Sequence, residues 1–276
     1  MSLRYLWITG LAAAALGLAG CGGTDDGAQG AKRTLVVASD ATYPPNEFLA
    51  PDGRTVTGMS ADLAAALSEE MGVRIKFVNT PFDAILPGLA AGKYDLGISS
   101  FTDTSEREQT VDFVTYYSAG TSFFVRAKGG PAVRTLADLC GRAVAVSKGT
   151  VQADDGATQA KKCRAAGRPA LKLLVLPDQP AANLALASGR ADVGMTDSPV
   201  AAYQVKQANG RFKLVGQPYG TAPYGIAIPK GAGLARPVRA ALQTLMRDGR
   251  YSAILRKWGV QVGAIDTSVI NGAVDR

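Results

Sequence analysis

Two widely separated segments are written to one pattern, and that pattern limits the folds open to the chain. Residues 89–100 read LAAGKYDLGISS and residues 186–197 read LASGRADVGMTD. Each runs Leu, two small residues, Gly, a base, one free position and Asp, then an apolar residue, Gly, an apolar residue and a hydroxyl. That order describes a helix end with a glycine stop, a tight turn and a short buried strand. Making the joint twice implies an α/β protein of two similar lobes. The first strand delivers Ser99 and Ser100, with Thr102 and Arg107 just beyond, and the second delivers Thr196 and Asp197. Hydroxyls and a guanidinium at the carboxyl edge of a sheet suit a carboxylate, and an acid facing them suits a cation. Helix–glycine–strand joints with capping hydroxyls recur in any α/β protein, but recurrence alone does not make the two strand ends complementary.

The flanking sequence fills in the lobes. Leu35-Val36-Val37-Ala38 reads as a buried strand that ends at Asp40, with Tyr43 just beyond. Ser60 is expected to cap a helix carrying Leu63, Leu67 and Met71, stopped by Gly72. A strand over 73–78 and a helix over 82–91, with Pro87 placed near its beginning, lead to the central segment and the β-rich run 111–125. The style then repeats: strand 143–147, the turn Lys148-Gly149-Thr150, a helix from Val151, strand 171–176, helix 181–188 and strand 193–196. The helix starting at Val151 offers unpaired N–H groups, a second cradle for an anion. Residues 216–224 read as a second crossover and 226–228 as a return to the first sheet. Lobe 1 is therefore expected to be discontinuous (34–118 with 219–265), lobe 2 to span 119–218, and 266–276 to form a tail. Two crossover strands make a hinge, with a ligand cleft between the lobes.

The 276 residues include no histidine, which removes His-based triads, general bases and metal ligands together; no metal and no cofactor are expected. A net charge of +7 and a pI near 9.4 do not signal a nucleic-acid partner, because Lys and Arg are scattered without interleaved aromatics. Charge spread so evenly reads as a solubility feature. Residues 1–20 read as an export leader, with Arg4 at its start and an apolar run, 6–18, too short to span a membrane as a mature helix. The leader ends Leu18-Ala19-Gly20-Cys21, which resembles a bacterial lipobox. Cys21 is accordingly expected to be lipidated, holding an exported chain to the outer face of the cell membrane or in a periplasm, with 21–33 as a flexible tether. Cys140 and Cys163 remain as an even pair, expected to close a disulfide in an exported protein.

Several motifs, taken with the lobe order, resemble the family-three extracellular solute-binding proteins, the amino-acid receptors of ABC importers. They are Asp40-x-x-Tyr43-x-Pro45, Phe82-Asp83-Ala84-Ile85-Leu86-Pro87-x-Leu89, Ser99-Ser100 with Arg107, and Lys148-Gly149-Thr150. The ending, Asp248-Gly249-x-Tyr251 with Lys257-Trp258-Gly259, belongs to the same set. The resemblance implies a two-lobed periplasmic-binding-protein fold that captures a polar amino acid by hinge closure and delivers it to an ABC permease and ATPase. By position, Arg107 would grip the ligand's α-carboxylate, with Ser99, Ser100 and Thr102 beside it. Thr150 and the backbone N–H of Val151 would close from lobe 2, and Asp197 would take the α-ammonium. Tyr43 and Phe82 would sandwich the side chain, and Asp40 would meet its polar end. Val151 stands where many members have a second Thr, Asn46-Glu47-Phe48 replaces the usual Phe after the prolines, and Met59-Ser60 stands where Phe-Asp is common; these departures bear on the substrate. Arg107 against Asp40 and Asp197 leaves one surplus negative charge, which favours a ligand with a basic or amide side chain. A monomer without catalytic residues is expected. Two alternatives share the fold: a cyclohexadienyl or arogenate dehydratase-like enzyme, in which Glu47 or Asp40 would serve as the general acid, and a ligand-sensing receptor.

Overall fold

The computed structural model describes residues 32–274; the leader, Cys21 and nearly all of the tether lie outside the described residues. No helix among the described residues is long and apolar enough to cross a membrane. The chain opens with β1 (Thr34–Ser39), followed by the short strands β2 (Thr42–Tyr43), β3 (Glu47–Leu49) and β4 (Val56–Thr57). Then come α1 (Met59–Glu70), β5 (Arg74–Asn79), α2 (Phe82–Ala90), β6 (Leu96–Thr102) and α3 (Ser105–Glu108). The long β7 (Val111–Arg126) leads into β8 (Ala143–Ser147), α4 (Val151–Ala165), β9 (Lys172–Leu176), α5 (Gln179–Ala187), β10 (Val193–Asp197) and α6 (Ser198–Gln207). A second long strand, β11 (Phe212–Pro229), returns, and α7 (Ala235–Arg247) and α8 (Arg250–Trp258) close the fold.

Eight strands make one sheet in the order β5-β1-β6-β11-β7-β10-β8-β9, and β2-β3-β4 form a separate small sheet. Each half of the large sheet has a parallel core: β1 between β5 and β6, and β8 between β9 and β10. The antiparallel pair β7 and β11 joins the halves. β11 meets β6 in one half (Tyr224 opposite Thr102), and β7 meets β10 in the other (Thr121 opposite Asp197). Between those contacts the β7–β11 register shifts, from Val215 to Tyr219 and again to Ala222, so regular pairing lapses where the halves join.

The duplicated sequence pattern is a duplicated structural joint. Gly92 and Gly189 both take positive φ (70° and 79°), the left-handed conformation that ends a helix. Three residues later, Asp95 accepts from the N–H of Val36 at 2.8 Å and Asp192 from the N–H of Ala143 at 2.9 Å. Each acid also donates its own N–H to the carbonyl of that same residue. One Asp therefore fixes β6 against β1 and the other fixes β10 against β8. The second glycine of each pattern sits where space is tight: a Cβ on Gly194 would lie 2.4 Å from the Phe124 ring, and one on Gly97 would lie 3.0 Å from methyl groups of Ile85 and Leu89.

Helices cover both faces of each half. α1, α7 and α8 bury Leu63, Leu67, Val238, Leu242, Leu245 and Tyr251 against Leu35, Val37, Leu96 and Ile98. On α7 the buried positions Val238, Ala241, Leu242 and Leu245 follow the helical spacing of one apolar stripe. The opposite face takes α2, through Ile85 and Leu89 against Phe101 and Phe113. In the second half, Phe123, Val144, Val146 and Met195 pack near Leu139 and Cys163, and Cys140 and Cys163 form a disulfide with Cα atoms 5.6 Å apart.

Two local expectations are corrected. Ser60 does not cap α1; Gly58 does, at φ 118°, and Ser60 lies in the first turn with its hydroxyl on Glu47. A side chain at position 58 is excluded, since a Cβ there would lie 2.3 Å from the Asn46 carbonyl. Pro87 sits in the second turn of α2, not near its beginning. Lacking an N–H, the ring there forfeits one backbone hydrogen bond of the helix. The final segment lies along β7: Ile270 bridges Val114, Asn271 Oδ1 accepts from the Phe113 N–H, and the Gly272 N–H donates to Asp103.

Candidate functional site

Residues at the carboxyl ends of β1, β6, β8 and β10 line one small cavity. All ten positions singled out from the sequence are on its wall: Asp40, Tyr43, Phe82, Ser99, Ser100, Thr102, Arg107, Thr150, Val151 and Asp197. Sequence reasoning left out five more, Thr42, Glu47, Ser147, Gln152 and Gln179.

Ser99 and Ser100 are consecutive, and consecutive strand residues point to opposite faces. Both reach the cavity because β6 breaks its regularity there. Ser100 adopts φ 51°, a left-handed conformation costing a non-glycine residue about 1–3 kcal/mol, and the pairing of β11 with β6 shifts between Gly225 and Ala227. The Ser100 hydroxyl is held by Asn46 Nδ2 at 2.9 Å. Ser99 Oγ accepts from the N–H of Asp40 (2.9 Å), and Asp40 Oδ2 in turn accepts from the N–H of Phe82 at the start of α2 (3.1 Å). Burial raises the Asp40 carboxyl above its ordinary pKa.

Arg107 lies near two rings, its guanidinium carbon 5.6 Å from the Phe82 centroid and 5.8 Å from that of Phe101. Those rings stack on each other at 4.6 Å. Nη1 donates to the Thr102 carbonyl at 2.8 Å, and Nη2 reaches across the cleft to the Gly149 carbonyl at 2.9 Å. Two further contacts cross it. Tyr43 Oη donates to Asp197 Oδ2 (2.9 Å) and lies 2.6 Å from Thr196 Oγ1, and Lys148 pairs with Asp83 at 2.7 Å. The two halves are thus drawn together around the cavity.

On the second half, Gln152 Nε2 donates to Asp197 Oδ1 (2.8 Å) and to Thr121 (3.0 Å), while Gln179 Oε1 accepts from Thr196 (2.9 Å) and Ser147 (3.3 Å). The Thr150 hydroxyl caps α4: it accepts from the N–H of Ala153 and donates to the Ser147 carbonyl. What this helix start can offer a ligand is accordingly the N–H groups of Val151 and Gln152, which have no carbonyl one turn back to meet.

Glu47 is the residue the sequence reading underused. It is fully buried on the cavity wall; Oε2 accepts from the Ser60 hydroxyl at 2.6 Å, and Oε1 has no hydrogen-bond partner. Desolvation, with the charges of Asp40 and Asp197 adding to it, pushes this carboxyl up to about 8, so it holds a proton near neutral pH. Gln152 and Gln179 were legible in principle, since each lies in the first turn of a helix that follows a strand's carboxyl end. The resulting wall sets one guanidinium beside three carboxyl groups, with hydroxyls and helix-start N–H groups between them. It can hold a carboxylate and an ammonium at once and still offer carboxyl groups to a third, cationic centre. No group of His, Cys, Asp or Glu suited to a metal occurs among the described residues.

The sequence matches the model of the bacterial extracellular solute-binding proteins, family 3, over residues 35–261. The arginine-binding protein ArgT of Corynebacterium glutamicum is 34% identical over 238 residues, covering 86% of this chain and 78% of that protein. An ancestral arginine-binding protein bound to arginine superposes with a TM-score of 0.74 at 36% identity, covering 82% of this chain and 98% of the other, and an ancestral arginine-binding protein bound to glutamine superposes equally well. The ancestral amino acid-binding protein AncCDT-1, a precursor of cyclohexadienyl dehydratase, superposes at 0.71 with 36% identity, covering 82% of this chain and 95% of the other.

Proposed function

Because the chain belongs to the bacterial extracellular solute-binding proteins of family 3, we propose that it traps an amino acid with a cationic side chain between its two halves and passes it to the permease of an ABC importer. Its named relatives are solute-binding proteins, not enzymes. The observation that carries the finer reading is the charge of the cavity wall, where Arg107 from one half and Asp197 from the other face a space that also holds Asp40 and Glu47. Arg107 grips the α-carboxylate with the planar fork that a lysine lacks, helped by Ser99, Ser100, Thr102 and the N–H of Val151. Asp197 takes the α-ammonium, and Tyr43 and Phe82 flank a side chain that ends at Asp40 and Glu47. Opening follows a hinge where β7 and β11 lose register, between a discontinuous lobe 1 (34–118 with 219–265) and lobe 2 (119–218). The exported chain works as a monomer held by a lipid on Cys21, which the lipobox supports.

A dehydratase-like reading has only the likeness to AncCDT-1 behind it, and AncCDT-1 is itself titled an amino acid-binding protein. The test is a thermal-shift screen of the twenty amino acids with ornithine and citrulline. A ligand at a hundredfold excess over its Kd adds about 2.7 kcal/mol, which is about 5–10 °C in a domain of this size. Arginine, lysine or ornithine is expected to give the largest rise. A largest rise with an acidic or an apolar amino acid would overturn the charge argument.

A further inference from the structure

The two halves do not share the chain's basic excess. Residues 119–218 carry fourteen Lys and Arg against six Asp and Glu, a formal +8; residues 34–118 and 219–265 together carry twelve against thirteen, a formal −1. Bases that look scattered along the chain are gathered by the fold around the Cys140–Cys163 disulfide. Lys161, Lys162 and Arg164 stand on the last turns of α4 beside Cys163. Arg168 follows, its N–H bonded to the Cys163 carbonyl, and Arg142 accepts at its carbonyl from the N–H of Lys172. Five of these six are exposed, all but Arg142. None joins an ion pair among the described residues, and Arg142 Nε is buried without a hydrogen-bond partner. The neighbouring acid, Asp138, is engaged by the N–H groups of Arg134 and Thr135.

The helix dipole accounts for bases at the end of α4 but not for Arg142, Arg168 or Lys172, which lie outside that helix. Sites for protein partners centre on aromatic, apolar and arginine anchors packed in desolvated pockets and are depleted in lysine, which supplies three of these six bases. On α4 and β9 the one large apolar side chain exposed is Val175. Dense positive charge with almost no apolar anchor matches an extended anionic surface.

We propose that this face of the second half lies against the anionic headgroups of a lipid bilayer and orients the molecule at the membrane. The proposal rests on the reading of the chain as a receptor for a membrane-embedded permease. A tether of a dozen residues from Cys21 spans at most about 40 Å, which keeps the folded unit within reach of that surface. Each base brought to an anionic membrane strengthens binding by about fivefold, and the effect fades with salt.

The described residues, 32–274, belong to one compact unit carrying all of the described core, so binding can be tested on a chain lacking the anchor. Co-sedimentation with vesicles of phosphatidylglycerol and phosphatidylcholine is expected to retain this unit at low salt, with release at high salt and no retention on phosphatidylcholine alone. The combined substitution Lys161→Glu, Lys162→Glu, Arg164→Glu and Arg168→Glu is expected to weaken retention at least about a hundredfold. Its affinity for the amino acid that gives the largest thermal shift is expected to stay at the parent value, which separates a lost membrane contact from a lost fold or a failed receptor reading. Arg54→Glu, Lys76→Glu, Arg236→Glu and Arg256→Glu make the same charge change on the other half and are expected to reduce retention far less. Equal loss with both sets would show that net charge acts and not this face. Retention on neutral vesicles, or equally tight binding to a soluble acidic polymer, would also overturn the proposal.

Discussion

Replacing Glu47 by Gln tests the proposed specificity most sharply, because it removes one proton and almost no volume. In the unliganded protein this buried carboxyl sits at about 8, so below that pH it is mostly protonated. A cationic side chain arriving beside it must displace the proton. The cost is RT ln(1 + 10^(8 − pH)), about 3 kcal/mol at pH 6 and well under 1 at pH 8. Affinity for arginine is therefore expected to rise about ten- to a hundredfold between pH 6 and pH 8. Asp40, also raised by burial, acts in the same direction at lower pH. Glutamine, with no cation to offer, is expected to show almost none of this slope. Titration calorimetry in two buffers of different ionisation enthalpy reads the released proton directly, close to one per arginine at pH 6. Glu47→Gln is expected to abolish both the slope and the release. The same group bears on stability with a defined sign. Its folded value lies above the ordinary 4.5, so the folded state binds more protons across the interval; the contribution is full below 4.5 and is lost as pH rises to about 8. An arginine affinity equal at pH 6 and pH 8, with no proton released, would refute the reasoning.

Three further outcomes are open to measurement. Arg107→Ala should cost about 2–5 kcal/mol of ligand affinity in calorimetry, since a desolvated carboxylate is left unpaired, and Arg107→Lys should restore only part of it. Cys163→Ser opens a link between residues 23 apart in sequence and should lower unfolding stability by about 3 kcal/mol in denaturant titration, with reductant reproducing the loss in the parent. Gly194→Ala places a methyl 2.4 Å from the Phe124 ring and should destabilise by about 1–3 kcal/mol in thermal unfolding, while leaving the ligand cavity untouched.

What could be read in the chain before folding, and what could not, divides along the range of the interaction. The helix–glycine–Asp–strand joint is local: Gly92 and Gly189 need a left-handed backbone, and the Asp that follows each serves the strand alongside. Every element of that signal lies within a dozen residues, so the duplicated architecture was visible as a duplicated word. The cavity wall was reachable wherever a residue follows a strand's carboxyl end, as Asp40, Ser99, Ser100 and Asp197 do. Glu47 obeys no such rule. It lies in a short strand of the small sheet, and only its burial against Ser60 turns an ordinary acid into one that holds a proton. Ser60 shows the converse, since its sequence position suggested a helix cap and the close approach of Gly58 to Asn46 set the cap two residues earlier. The basic face was hidden for a third reason: Arg142 and Lys172 become neighbours only when β8 and β9 pair. Even spacing along a chain says nothing about clustering in space. The same +7 that reads as a solubility feature in the sequence becomes, once the strands cross between halves, a difference between one half and the other. A molecule built from two copies of one joint has thus become electrically unlike at its two ends while keeping the cleft between them lined from both.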